Sequence, residues 1–188
     1  NYGINAGNSG AGNTSIGYFA GDVTSGKNNS FLGHYAGANS TRTTFNTFVG
    51  AYSGFKAQGN NQTFSGAYAG NVSEGNENSF YGAYAGFKNT GGSYNTYSGT
   101  RSGYSNEKGN HNTFTGYLSG YNNTVSSNTF YGSLSGYSNT IGERNTFVGD
   151  SAGYSNTHNS DNVFVGYKAG KSSVGIGHNT FVGSKAGE

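Results

Sequence analysis

Asn46-Thr47-Phe48-Val49-Gly50-Ala51-Tyr52-Ser53-Gly54 is the stretch that decides the fold. Its first five residues return unchanged as Asn145-Thr146-Phe147-Val148-Gly149 and as Asn179-Thr180-Phe181-Val182-Gly183. Aligned on that segment, the chain carries an aromatic ring at Phe31, Phe48, Phe64, Phe80, Tyr97, Phe114, Phe130, Phe147, Phe164 and Phe181, with Ser15 opening the series. The intervals are 16 or 17 residues throughout. Every copy has a glycine two residues after that position (Gly50, Gly149) and a second glycine four residues further on (Gly54, Gly153). The residue before the second glycine is always Ala or Ser, from Ala20 to Ala186, a slot with no room for more. Gly3, Ala6 and Gly7 keep the same register. Residues 1–188 therefore read as one continuous array of about 11 full coils plus a truncated first copy, with no internal linker.

Composition narrows the class. Gly, Asn, Ser and Thr together make up 105 of the 188 residues, 31% of the chain is hydrophobic and only 10% is charged. Such polarity usually signals disorder, yet 29 residues are Tyr or Phe, far more rings than disordered chains carry. The lack of Pro excludes collagen, and the lack of Cys excludes a disulfide scaffold and a thiolate zinc site. No apolar run reaches the roughly 20 residues that span a bilayer, so no membrane insertion is expected in this segment. A formal charge of +2, spread over scattered basic residues, is too weak a field for nucleic acid. With no Met anywhere, the sequence reads as a fragment of a longer chain.

A period this short cannot hold two helices and their turns, and the runs around each ring are β-branched and aromatic. A propeller blade needs about 40 residues and hairpin turns. Here there is no Asn-Gly or Asp-Gly pair, where chance alone would place about five Asn-Gly, so antiparallel hairpins are not indicated. The period suits an all-β parallel β-solenoid or β-roll of 16–17-residue, two-strand coils. Stacked about 4.8 Å apart, eleven of them make a rod roughly 50 Å long.

Side chains alternate along a strand, so the residues before and after each ring share the face opposite to it. The preceding row is Thr or Ser ten times and Val163 once; the following row runs Ile16, Leu32, Val49, Ser65, Tyr81, Ser98, Thr115, Tyr131, Val148, Val165, Val182. With the aromatic row these are 33 positions, and none is charged. A solvated face should carry some charge, so both faces of this strand are expected to be covered. A second strand around the Ala/Ser row is expected to have a wet side, because Lys56, Lys88, Arg101, Asp150, Lys168 and Lys185 flank it. Identical rolls packed around an axis with their uncharged strands inward meet both conditions, and three chains is the simplest closed form. Stacking also predicts a Phe ladder and, two residues earlier, an Asn ladder of Asn29, Asn46, Asn78, Asn95, Asn112, Asn128, Asn145, Asn162 and Asn179, whose amides can satisfy backbone groups at the turn.

The repeated NTFVG…AG unit resembles the head repeats of trimeric autotransporter adhesins, and is similar to glycine-punctuated repeats of phage and bacterial tail-fibre-like proteins. The likeness covers the whole chain. It implies a homotrimeric left-handed parallel β-roll, an extracellular or virion location, and work as a fibre, stalk or adhesive head. The match departs in two respects: matching on the glycine puts Phe147 where the adhesin strand motif has a small Ala, and the period here is longer by two or three residues.

Candidate chemistry is sparse. The four histidines fall at unrelated registers, and His111 and His178, the matched pair, lie about 19 Å apart, too far to share a metal. Glu74, Glu77, Glu107, Glu143 and Asp161 all sit in the variable stretch, without the paired-Asp spacing that binds calcium. No Ser, His and acid recur together, so no catalysis, metal or cofactor is expected. The functional candidate is aromatic: Tyr35, Tyr52, Tyr68 and Tyr84 lie four residues after their rings, and Tyr104, Tyr121, Tyr137 and Tyr154 seven after theirs. Exposed Tyr ranks would form an adhesive or glycan-binding surface. Alternatively they pack over the Ala/Ser row or against a neighbouring chain. The expected partners are thus the chain itself, as homotrimer or filament, and host or environmental surfaces and glycans. Two other readings are a single-chain solenoid stacking end to end and, from the Thr row at Thr14, Thr47, Thr63, Thr96, Thr113, Thr129, Thr146 and Thr180, an ice-binding solenoid.

Overall fold

The computed structural model describes residues 3, 6–7, 10–173, 175 and 177–188. Eleven three-residue strands, one per coil, stack in sequence order into a single parallel sheet. They are β1 (Thr14–Ile16), β2 (Ser30–Leu32), β3 (Thr47–Val49), β4 (Thr63–Ser65), β5 (Ser79–Tyr81), β6 (Thr96–Ser98), β7 (Thr113–Thr115), β8 (Thr129–Tyr131), β9 (Thr146–Val148), β10 (Val163–Val165) and β11 (Thr180–Val182). Pairing keeps the repeat register without a slip: Phe48 lies against Phe64, Phe64 against Phe80 and Phe80 against Tyr97. The chain is a parallel β-solenoid.

Alternation along each short strand turns the ring inward. From Phe31 to Phe164 the aromatic row is buried, and Phe181 packs partly buried at its end. Successive rings stack nearly parallel with centroids 4.8 Å apart for Phe48–Phe64 and Phe64–Phe80 and 4.7 Å for Phe80–Tyr97. The buried Ala/Ser row faces them, so each coil is one ring thick and closes on a methyl or a hydroxyl. One coil cannot bury its ring alone; burial comes from its neighbours.

The second strand expected around the Ala/Ser row is replaced by consecutive turns. In one coil the Ser53 N–H donates to the Gly50 carbonyl within the coil, the Tyr52 N–H to His34 O of the coil before, and the Gly54 N–H to Ala69 O of the coil after. Tyr52 (φ 57°) and Gly54 (φ 58°) are both left-handed, a conformation that bends the chain away from a strand. The positive φ of Tyr52 recurs at Tyr35, Tyr68, Tyr84, Arg101, Leu118, Leu134, Ser151, Lys168 and Lys185. Each L-residue there costs energy that the bonds to neighbouring coils offset.

Two glycines per copy follow from this path. A Cβ on Gly50 (φ 122°) would come 2.8 Å from the Gly66 carbonyl carbon of the next coil, and one on Gly54 would enter the Phe48 ring. The first glycine lets coils approach; the second lets the ring lie flat beneath the turn.

Candidate functional site

Two surfaces are built by repetition. The first is the outer side of the sheet. In every strand the middle residue faces inward, and the residues on either side are exposed or half-buried. The face that the sequence leads one to expect covered is thus open in the single chain. Its 22 outward positions hold Thr, Ser, Val, Ile, Leu and Tyr, and no charge.

Of the fourteen exposed large hydrophobic side chains among the described residues, twelve lie on or beside this face. Ile16, Leu32, Val49, Tyr81, Tyr131, Val163 and Val182 are on the strands. Phe45, Tyr94, Tyr18, Tyr117 and Tyr167 border them, three residues before or after a ring position. Only Val23 and Ile141 lie elsewhere. The face is not flat: Tyr81 (44% exposed) and Tyr131 (61%) stand above neighbours as small as Ser65, Ser98 and Thr115. That relief works against matching an ice lattice with the Thr row.

The second surface is the aromatic edge of the turns. Phe19, Tyr35, Tyr52, Tyr68 and Tyr84 stack with centroids 4.9–5.2 Å apart, and Phe87, Tyr104, Tyr121, Tyr137 and Tyr154 continue at 5.0–5.4 Å. Phe87 joins the two ranks, edge-on to Tyr68 and tilted against Tyr84. The Arg101 guanidinium lies 5.8 Å from the Tyr84 ring centre where the first rank stops, and the Lys88 ammonium 5.5 Å from that of Tyr104 in the second. All eight tyrosines are half-buried. Because each ring face is covered by the ring of the next coil, these ranks offer water their edges and hydroxyls, and a sugar ring finds no free face to stack on along their length.

Beneath the strand runs a buried amide ladder. Asn112 shows its chemistry: its N–H donates to Asn95 Oδ1 (2.9 Å), its own Oδ1 accepts the N–H of Asn128 (2.9 Å), and its Nδ2 donates to Val125 O (2.8 Å). The same rung joins Asn13 to Asn29, Asn29 to Asn46, Asn78 to Asn95 and each coil from Asn128 to Asn179. Gln62 interrupts it. Its N–H meets Asn46 Oδ1, but its longer side chain turns to Ser73 Oγ (2.7 Å) and leaves Nε2 buried without a partner. A second ladder, Asn89, Asn106, Asn123, Asn139 and Asn156, occupies the variable stretch. Asn89, Asn106 and Asn139 each cap the carbonyl three residues on, at Gly92, Gly109 and Gly142. Its signal is the repeated Asn-x-x-Gly, legible in sequence once the register is known.

Among the described residues the histidines and charged side chains lie dispersed along the rod. His34 packs among Tyr18, Tyr35 and Tyr52, and His111 stacks on Tyr94 at 4.9 Å. His158 touches Thr157, and His178 stands 4.0 Å from Asp161. Arg144 bridges Glu143 and Asp161 at the surface; hydrogen bonding to Arg144 holds the Asp161 carboxyl below the usual carboxylate range. Among the described residues no three His, Asp or Glu gather where a metal could bind. The only buried ionisable group among them is the Tyr97 phenol. Burial pushes it above its ordinary value, partly countered by hydrogen bonds from Asn106 and Asn112.

No protein-family model, curated protein or solved structure matches this chain.

Proposed function

We propose that this repeat segment is a structural and adhesive unit of an extracellular fibre whose rods associate through their strand faces. The observation that carries the reading is the strand face itself: 22 outward positions without a charge, bordered by the exposed rings, on a rod that elsewhere carries Lys, Arg, Asp and Glu. Charge depletion with aromatic enrichment is the composition of an interface core. The resemblance of the NTFVG…AG unit to adhesin heads supports the extracellular placement and a homotrimer as one closed form. In this reading the tyrosine ranks touch the environment, presenting a comb of ring edges and hydroxyls at about 5 Å intervals to hydrated surfaces or glycans. The role involves no catalysis and no cofactor; an interior filled with rings, small residues and paired amides supports that.

Light scattering on the 188-residue chain tests the association. A mass that stays at 19.5 kDa up to tens of micromolar refutes it. Adhesion to glycan-coated sensor surfaces tests the second half: Tyr121→Ser with Tyr137→Ser should lower retention several-fold, and unchanged retention removes the tyrosine ranks from the adhesive role.

A further inference from the structure

The relief of the strand face carries a more specific statement, one that rests on the association just proposed. Read along the rod, the row following each ring runs Val49, Ser65, Tyr81, Ser98, Thr115, Tyr131, Val148 from β3 to β9. Reversed and laid on itself about Ser98, this series meets its own size complement. Tyr81 falls opposite Thr115, Tyr131 opposite Ser65, Val49 opposite Val148, and Ser98 opposite its own copy. We infer that two copies of this chain pack strand face to strand face with their rods antiparallel, about a two-fold axis that runs along β6 beside Ser98.

The geometry follows from symmetry. A two-fold axis lying between two sheets and parallel to their strands keeps each row opposite the same row and reverses coil order, so β5 meets β7 and β4 meets β8. Each protruding Tyr then enters the dip left by a Ser or Thr, and the space between the sheets is filled evenly. With the axis along the rods instead, every coil meets its own level. Two Tyr81 rings would then share one layer while the layers of Ser65 and Ser98 hold only small residues, leaving gaps that interiors and interfaces do not tolerate.

The borders agree. Three residues before the rings, Glu77 comes opposite His111 and Phe45 opposite Arg144, and no like charges meet. The face is about 50 Å long and about 10–20 Å wide, depending on how many border residues join, or roughly 500–1,000 Å² per copy. A standard interface buries about 800 Å² per partner.

The chain has no Cys, so single cysteines can be introduced cleanly. Lys88→Cys and Ser172→Cys both lie exposed on the turn side, away from the strand face, and carry nitroxide labels. In the antiparallel pair the two labels are offset along the rod by about 10 Å at position 88 and about 38 Å at position 172. Pulsed electron spin resonance should therefore give a clearly longer distance for Ser172→Cys. Light scattering should give twice 19.5 kDa. Ser98→Arg, which sets two guanidinium groups face to face on the axis, should weaken the dimer at least tenfold, while Glu107→Arg on the turn side leaves it intact, both variants folding by circular dichroism. A trimer, or equal label distances at the two positions, overturns this arrangement and leaves the association standing. A monomer at tens of micromolar overturns both.

Discussion

Gln62→Asn should stabilise the rod, because it repairs the amide ladder where the chain itself breaks it. In the neighbouring coils each ladder Asn makes two bonds onward: Asn46 accepts the Gln62 N–H (2.8 Å) and donates to Gly59 O (3.1 Å), and Asn78 accepts the Asn95 N–H (3.0 Å) and donates to Gly92 O (2.8 Å). The equivalent bonds from position 62, to the Asn78 N–H and to Gly75 O, are missing, and the Gln62 Nε2 is buried unpaired. Restoring two bonds contributes about 1–3 kcal/mol in sum, and removing the orphaned donor adds to it. Against this stand one lost methylene, about 0.8 kcal/mol, and the Ser73 hydroxyl losing its acceptor, about 1 kcal/mol. The net is about 1–2 kcal/mol in favour of Asn, a rise in melting temperature of roughly 2–8 °C for a chain of this size. Thermal melts by circular dichroism measure the shift, and hydrogen exchange at the Asn78 amide locates it: protection there should increase while that at Asn128 stays level. A lower melting temperature, or an Asn78 amide that exchanges as before, would refute the claim that ladder continuity contributes to stability.

Phe80 is fully buried between rings at 4.8 and 4.7 Å, so Phe80→Ala should cost about 3–5 kcal/mol, whereas exposed Glu77→Ala should stay within about 0.5 kcal/mol; denaturant titration of the two side by side checks the inward register. Tyr97→Phe makes the core ladder uniform and should change stability at pH 7 by no more than about 1 kcal/mol. Because burial raises the Tyr97 phenol above its ordinary 10, its contribution is fully present below about pH 10 and is lost as pH rises past it, when the unfolded chain ionises first. Melts at pH 7 and pH 11 should therefore show Tyr97→Phe overtaking the parent at the alkaline end; parallel losses would mean the phenol is not enclosed.

How much of this was legible in the sequence depends on whether a row interacts with copies of itself or with something else. Stacking in register places identical positions one above another, so a 16–17-residue period with a ring, two glycines and a small residue already implies parallel coils, ring stacking and an amide row. The Asn46 rung is of this kind. The turns are not. That Tyr52 and Gly54 are both left-handed, and that their amides reach alternately to the coil before and the coil after, depends on where neighbouring carbonyls lie, and the alternation of Ala/Ser with larger residues reads equally well as a strand. The second amide ladder is legible in part: Asn89, Asn106, Asn123, Asn139 and Asn156 each lie nine residues after their ring, and the extra residue of the longer copies falls after them. That these amides are buried, and that those of Asn89, Asn106 and Asn139 cap the carbonyl three residues on, only the folded coil shows.

The tyrosine ranks divide the same way. Their positions, four and seven residues after the rings, are plain in the sequence, but that their faces are spent on one another was decided by the 5 Å rise of the coils, which brings rings in equivalent rows to stacking distance. By itself the sequence determined the repeat, its parallel register and the ring that each coil buries, because all three follow from periodicity and the alternation of side chains. Only the tertiary structure decided that one coil closes through turns instead of a second strand, and that the uncharged strand face is left open to water in the single chain. Both depend on where the chain returns in three dimensions, a distance that period and composition do not contain.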